Sequence, residues 1–457
     1  MYLAVDIGAS SGRHILGWLE EGRLQLKEIY RFENGMTEQN GSFVWDVEHL
    51  VAEIVNGLKA CKAEGVCPKS VAIDTWGVDY ALLDKEGNLL PPVYAYRDSR
   101  TAKAAQEIDA LIPRAELYRR TGIQKQDYNT VYQLWCDKQS GKLDNAAHFL
   151  MMPDYLAYRL TGRMANEYTI ASTSGLLNAE SRRWDGDLLR LLGLPDELFR
   201  PLSQPGTALG ELSEEIAAQV GFQTTVTLAA GHDTASAVAA CPLDDSSVYI
   251  SSGTWSLIGT ENRVPVTTEA ARAGDFTNEG GVGGRIRFLE NIMGMWLFQS
   301  IRRNIGKTLT YDEMMQEAMN STYTRLVDPN DSAFLAPPDM LAAVKERLGE
   351  PELPLGDVLN SVYHSLATSY DRAVKEIEII SGKPIHRILI VGGGSKDSYL
   401  NRLTARITGK TVCTGLGEAT ATGNILTQIM CAEGLSLEEA RDIVRRTVEW
   451  TEVEGIL

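Results

Sequence analysis

Basic residues are scarce in this chain: 44 Lys and Arg stand against 61 Asp and Glu, for a net charge of −17. A surface that grips nucleic acid or an anionic membrane needs the opposite excess, so wholesale binding to either is excluded and any anionic ligand must be held locally. The six cysteines are scattered with no C-x-x-C pair, and the six histidines never fall at zinc-site spacing. A disulfide framework and a structural zinc site are therefore not expected; reduced thiols and a cytoplasmic location are. No apolar run approaches the length of a membrane span, and the opening MYLAVDIGASSGR carries no basic leader. A P-loop is missing too. Its nearest lookalike, IRRNIGKT, has Ile301 where the first glycine belongs.

What remains is an ordinary folding chain of 457 residues, 44% hydrophobic and 23% charged, long enough for two or three domains. Tyr2 to Ile7 reads as a strand, GASSG as a turn, and His14 to Leu19 and Arg23 to Phe32 as two further strands joined by EEG. After Asp46, a plausible N-cap, Val47, Leu50, Val51, Ile54, Val55 and Leu58 form one stripe at helical spacing. Ser70 to Asp74 is a strand, and residues 99–219 read mainly helical. TVTLAAGHDTASAVAA then runs strand, turn, helix, and CPLDD marks a boundary between an N-terminal domain, 1–243, and a C-terminal domain, 244–457, with the hinge near Pro242.

The two halves echo each other. VDIGASS aligns with ISSGTWS, and KSVAIDTWG with HRILIVGGG, each an apolar strand entering a glycine turn. In GASSG, Gly8 and Gly12 let the backbone approach a ligand while Ser10, Ser11 and the amides can donate to phosphate, with Arg13 adding charge; a simple hairpin turn is the alternative. Asp6 ends an otherwise apolar strand, where a carboxylate is costly to bury without a cation or donors. Mg²⁺ on nucleotide phosphates would supply one, and capping of the turn is the alternative. Asp233 reads either as a helix N-cap or as a base at the end of a strand. A His-Asp pair is also found in hydrolase triads, but no G-x-S-x-G lies nearby.

Ten segments in order carry a wider likeness: VDIGASSGR, DTWGVDY, YAYRDSRT, PDYLAYRLTG, NEYTIASTSGLLN, GHDTASAVAA, SSGTWSLIGTE, NIMGMWLFQ, VGGGSKDSYLN and GEATATGN. Together they resemble the FGGY family of carbohydrate kinases, most closely its branch acting on L-rhamnulose. The resemblance implies an α/β fold of two actin-like (ribonuclease H-like) domains with a nucleotide and sugar cleft between them. It implies ATP contacts at Ala9, Ser10, Ser11, Gly12, Arg13, Thr254, Gln299, Gly393 and Gly394. It places the sugar at Gly77, His232, Asp233, Thr234 and Asn291, with Asp233 as general base, ATP as co-substrate, and transfer to the 1-hydroxyl of L-rhamnulose. Asp6 is the candidate ligand of Mg²⁺.

Three departures from the wider family stand out: Ala9 replaces a threonine, the Phe-Gly-Gly-Tyr signature is not legible, and DTWGVDY replaces a glycine- and methionine-containing segment. These point away from glycerol or xylulose and toward the L-rhamnulose branch, leaving another ketose or polyol, such as L-fuculose, as the alternative. An actin-like ATPase without a sugar would not need GHDT, RDSR or NIMGMW. Arg97 and Asp98 in RDSR are further candidates for sugar hydroxyls, unless arginine and aspartate pair. Trp76 and Tyr80 face a choice between a pocket for the sugar's methyl group and the core. Monomer and homodimer both remain open.

Overall fold

The opening strand, Tyr2–Ile7 (β1), is buried along its whole length. That fits an apolar run at the centre of a sheet covered on both faces. The computed structural model, which describes residues 1–455, pairs β1 with Ser11–Glu20 (β2), and β2 with Arg23–Glu33 (β3), both antiparallel. Glu21 and Gly22 both have positive φ, 50° and 76°, the backbone a two-residue hairpin turn requires.

Asp46 caps the helix Val47–Ala63 by accepting from the His49 amide. Leu50, Ile54 and Leu58 on its inner stripe share a core with Leu3, Val5 and Ile7 of β1. Full burial of each such side chain is worth roughly 1.5–3 kcal/mol.

The chain divides into two compact units, the first comprising Met1–Pro242, Glu261–Phe288 and Ala419–Thr447, the second Leu243–Thr260, Leu289–Glu418 and Val448–Leu457. The first unit adds Ser70–Thr75 (β4), Thr207–Glu211 (β5) and Thr225–Leu228 (β6), giving the sheet order β5-β6-β4-β1-β2-β3. β1, β4 and β6 are mutually parallel, while β5 pairs antiparallel with β6. The helical stretch between β4 and β5 forms its own core around Ile108, Tyr132, Leu134, Phe149, Leu188 and Leu192.

The second unit repeats this plan. Ser247–Ser252 (β7) pairs antiparallel with Trp255–Asn262 (β8), which neighbours Ile286–Met293 (β9). β7 is parallel to Arg387–Val391 (β10), β10 is parallel to Thr411–Leu416 (β11), and Thr451–Val453 (β12) closes the edge antiparallel. Helix Leu355–Ser381 lies in this unit, burying Leu359, Val362, Leu366, Tyr370, Val374 and Ile377 at helical spacing. The paired segments in the sequence, VDIGASS with ISSGTWS and KSVAIDTWG with HRILIVGGG, occupy matching strands of the two sheets.

Candidate active site

In open parallel sheets, ligands gather beyond the carboxyl ends of the strands. In the first unit those ends are acidic. Asp6, the penultimate residue of β1, accepts from Arg13 Nη2 at 2.6 Å, an ion pair within the chain. Asp74 on β4 stands in register with Asp6 and is fully buried. Its Oδ2 accepts from Asn424 Nδ2 at 2.6 Å, whereas Oδ1 has no hydrogen-bond partner among the described residues. Burial, then the charge of Asp6, holds the Asp74 carboxyl well above the usual range.

After β6 the chain turns through Ala229–Gly231 and enters helix Asp233–Ala239 with His232 at the N-cap. The turn is tied on both sides: Thr75 N donates to Gly231 O at 2.9 Å, and Gly231 N donates to Glu167 Oε2 at 3.0 Å. A Cβ at Gly231 would lie 3.0 Å from that carboxylate and 3.1 Å from Pro153, so the tie leaves no room for a side chain. Glu167 is buried and also accepts from the amides of Thr169 and Ile170 and the Thr169 hydroxyl.

Asp233 is therefore the first helical residue rather than the cap. Its Oδ1 takes the Thr234 amide at 2.5 Å and the Thr234 hydroxyl at 3.2 Å, with His232 Nε2 3.3 Å away. The side chain keeps 32% of its surface open. Burial raises its pKa; His232 pulls it down and Asp6 pushes it up, leaving it above the ordinary value of 3.8.

Behind His232 stand two buried charges. Arg287 Nη2 lies 3.0 Å from His232 Nδ1 and 2.9 Å from Glu279 Oε2, and Arg287 Nε donates to Gly280 O at 2.9 Å. Burial alone would raise the Glu279 carboxyl, but Arg287 and His232 outweigh it and hold it below its usual value. On the other side of His232, Nε2 would lie 3.5 Å from a Cβ placed on Gly77, an ordinary contact distance, so a side chain there would line the ring.

The next residue, Val78, has φ +68°, a strained conformation for a β-branched side chain. It is pinned there by Thr173 Oγ1 on its amide at 3.1 Å and by Thr130 Oγ1 donating to its carbonyl at 2.6 Å.

The remaining candidates separate. Asp98 is buried with both oxygens committed to backbone, Oδ2 to Phe43 N at 2.8 Å and Oδ1 to Arg100 N at 3.1 Å. Arg97 donates to the Tyr96 hydroxyl and lies over that ring. The structure gives Trp76 and Tyr80 core positions: Trp76 packs on Trp45 with ring centroids 4.1 Å apart and donates to buried Asp79, and Tyr80 donates to Asp137 at 2.5 Å. Four donors do not offset the burial of Asp79, whose carboxyl is raised to about 6.

In the first unit Gly8, Ala9 and Ser10 connect β1 to β2, with the turn closed by Gly8 N to Ser11 O at 2.9 Å; Ser11, Gly12 and Arg13 already lie on β2. Thr254, Asn291, Gln299, Gly393 and Gly394 belong to the second unit. There the Thr254 carbonyl accepts from Gly294 and Trp296, and Gln299 lies on helix Trp296–Asn304. Asn291 is on β9, its carbonyl accepting from Asn330.

Sequence reasoning missed Asp74, Glu167, Thr173, Val78, Glu279 and Arg287. For Asp74 the signal was present, a carboxylate ending an apolar strand as at Asp6. The two charges in FTNEGGVGGRIRF, set among apolar and glycine residues, were a weaker one.

The profile of the FGGY family of carbohydrate kinases, N-terminal domain, matches residues 1–240, and that of its C-terminal domain matches residues 248–432. The chain belongs to the FGGY family of carbohydrate kinases. Among similar proteins of this family, a rhamnulokinase from Oceanobacillus iheyensis is 42% identical over 98% of this chain and 97% of its own length. Another from Halalkalibacterium halodurans is 44% identical over 97% and 96%. Solved structures share the fold at low identity. A ligand-bound xylulose kinase from Lactobacillus acidophilus superposes with a TM-score of 0.80 at 15% identity, covering 99% of this chain and 94% of its own. Plasmodium falciparum glycerol kinase with ADP gives 0.78 at 13%, covering 99% and 94%. As an FGGY carbohydrate kinase the protein is an enzyme acting on a sugar and ATP. No helix among the described residues is long and apolar enough to cross a membrane.

Proposed function

We propose that this kinase transfers the γ-phosphoryl group of ATP to the 1-hydroxyl of L-rhamnulose, with Asp233 as the general base. The sugar reading draws on the rhamnulokinases it resembles along nearly all its length. The mechanistic reading is carried by one observation: Asp233 Oδ1 is taken by the amide and hydroxyl of Thr234, with His232 3.3 Å away, while the carboxylate stays partly open just past a strand end. Phosphoryl transfer passes through a loose transition state, so the protein's work is alignment, charge neutralisation and reception of the hydroxyl proton. As the sugar oxygen bonds to phosphorus and the bond to ADP breaks, the proton passes to Asp233. The raised pKa makes Asp233 a better acceptor while it is ionised.

Glycine at position 77 and the ring of His232 leave the sugar its space, and Thr234 braces the base. Asn291 is assigned to the sugar, with Arg97 as a further contact. Ala9 to Arg13, Thr254, Gln299, Gly393 and Gly394 are assigned to ATP. Asp6 offers a hard oxygen of the kind Mg²⁺ takes; among the described residues no three acidic, His or Cys side chains form a cage of their own, and an ion carried mainly by phosphates needs only one or two protein carboxylates. Bound there, Mg²⁺ would neutralise charge developing on the phosphate oxygens. Six unpaired cysteines favour a reducing cytoplasm.

Two measurements test this reading. Across a panel of ketoses and polyols, L-rhamnulose should give the highest kcat/KM for ADP release, and a higher value for L-fuculose, xylulose or glycerol would overturn the sugar assignment. Asp233→Asn should keep ATP binding and lose about 10²- to 10⁴-fold in sugar phosphorylation. Near-normal turnover by that variant excludes Asp233 as base.

A further inference from the structure

Just past Gly77 the chain bends in an uncommon way. Val78 has φ +68°, and the Asp79 amide donates back to the Gly77 carbonyl at 2.9 Å. A bond that spans one residue of positive φ describes a γ-turn of the rare, strained hand, here centred on a β-branched side chain. Two buried hydroxyls hold it. Thr173 Oγ1 spends its proton on the Ile170 carbonyl at 2.8 Å and accepts the Val78 amide at 3.1 Å, while Thr130 Oγ1 donates to the Val78 carbonyl at 2.6 Å. Thr130 opens helix Thr130–Gln139 and Thr173 lies in the short turn Ser172–Ser174, so two separate elements grip one residue. Asp79 is fixed as well: its carbonyl accepts the Met152 amide at 3.0 Å, and its carboxylate takes Trp45, Trp76, Tyr96 and Gln133. Of the main-chain polar groups of Gly77, Val78 and Asp79, the Gly77 N–H alone has no hydrogen bond among the described residues.

We propose that Thr130 and Thr173 are positioning residues for the sugar: by clamping Val78 in this turn they engage its polar groups and leave the Gly77 amide to donate to a hydroxyl of the ketose. This rests on Gly77 meeting the sugar. Its place supports that role, since a Cβ built on Gly77 would lie 3.5 Å from His232 Nε2 and 3.4 Å from Thr173 itself. Joining β4 to the strand Tyr80–Leu83 requires no strain, so the strained turn is better explained by what it presents.

The test removes the hydroxyls and keeps the branched shape. Thr130→Val and Thr173→Val should each raise the KM for L-rhamnulose about 5- to 10-fold, the scale of one hydrogen bond, with kcat and the KM for ATP near wild type. A merely structural role would do the reverse, lowering the apparent kcat through lost protein and sparing the KM. Thr130→Ser and Thr173→Ser, which retain the hydroxyl, should keep the wild-type KM. Val78→Gly added to Thr173→Val should recover much of it, because glycine takes positive φ without strain.

An unchanged KM for the sugar in folded valine variants overturns the proposal. The wild-type protein decides it independently if those variants fail to fold. With ¹⁵N-glycine labelling, the Gly77 amide, identified by its loss in Gly77→Ala, should shift and gain protection from hydrogen exchange when L-rhamnulose is added without ATP. A Gly77 amide that saturating sugar leaves unchanged overturns the proposal as well. A panel that prefers another ketose overturns the sugar assignment alone, and the same variants then decide the clamp with that ketose.

Discussion

In the first unit the three parallel strands β1, β4 and β6 lead to Asp6, Asp74 and Asp233, whereas in the second β7, β10 and β11 lead to Gly253, Gly392 to Gly394 and Gly417. The hydrogen-bonded plan is shared. One set of ends offers carboxylates, able to take a proton or meet a cation. The other offers bare backbone, able to come close to a ligand. At Gly392, with φ +81°, a Cβ would lie 2.9 Å from the Ser252 carbonyl, and at Gly394 it would collide with the Ser252 hydroxyl. A duplicated sheet thus keeps its strand pairing while its strand ends differ, carboxylates in one unit and glycines in the other.

The sharpest way to break this contrast is to remove a charge from the acidic set. Asp6→Asn keeps the shape of β1 but takes one carboxylate from the group that includes Asp74 and Asp233, and it leaves Arg13 without its 2.6 Å partner. Sugar phosphorylation should fall by about 10²- to 10³-fold, the scale of losing one preorganised charge contact, and the Mg²⁺ concentration needed for half-maximal rate should rise. An unchanged Mg²⁺ requirement would detach Asp6 from the metal.

The matching change in the glycine set is Gly394→Ala. The added methyl meets the Ser252 side chain, whose Cβ would lie 2.7 Å away. Overpacking of this kind costs about 1–3 kcal/mol, so the upper end is expected in thermal or denaturant unfolding. If the turn serves the nucleotide, the KM for ATP rises while the KM for the sugar does not. A rise confined to the sugar would reverse the assignment of the two units.

Much of this architecture is legible in local pattern. The Glu21–Gly22 turn, the stripe from Val47 to Leu58 and the strand-turn-helix around Asp233 are all short-range signals, and each element appears where its spacing places it. The repeated halves were legible because strand and glycine recur in both. The surroundings of Asp233 were not. Arg287 reaches His232 across 55 residues and Glu167 reaches Gly231 across 64, and no periodicity encodes such meetings. Val78 at positive φ was invisible for a different reason: the residue type argues against the conformation, and only the bonds from Thr130 and Thr173 impose it. Asp98 shows the converse hazard, since an aspartate in a polar motif is also the residue that caps turns, as it does here.

Buried ionisable groups behind the acidic unit give a smaller effect with a defined pH window. His14 is wholly buried against Gly57, neither ring nitrogen has a side-chain partner, and burial lowers its pKa from 6.5 to about 3. Below pH 6.5 the unfolded chain takes up a proton there that the folded chain refuses until about pH 3, so stability falls as the pH drops. At about 1.36 kcal/mol per pH unit, that amounts to about 2 kcal/mol between pH 7 and pH 5. Asp79, raised to about 6, works in the opposite sense, because between 3.8 and 6 the folded state holds the extra proton. The wild-type curve contains both. The difference between wild type and His14→Phe isolates the first: the variant should gain about 2 kcal/mol on wild type over that interval, and parallel curves would show that the imidazole titrates in the fold.

In the second unit the corresponding interior contact is neutral. Ser256 on β8 meets Tyr370 on helix Leu355–Ser381 at 2.7 Å, with both residues buried and the phenol pushed above its ordinary value by burial. A single bond between uncharged groups contributes about 1 kcal/mol, so Tyr370→Phe should lower stability by about that amount. Ser256→Ala should cost a similar amount, because it strands the phenolic hydroxyl in the core. Removing both should cost less than the two single losses together, since no unsatisfied group is left behind. The effect should also be the same at pH 5 and pH 8, where neither group changes charge. A pH-dependent loss in Tyr370→Phe, measured by denaturant unfolding at those two values, would mean that this contact is coupled to a titrating group and is not the neutral bond its geometry describes.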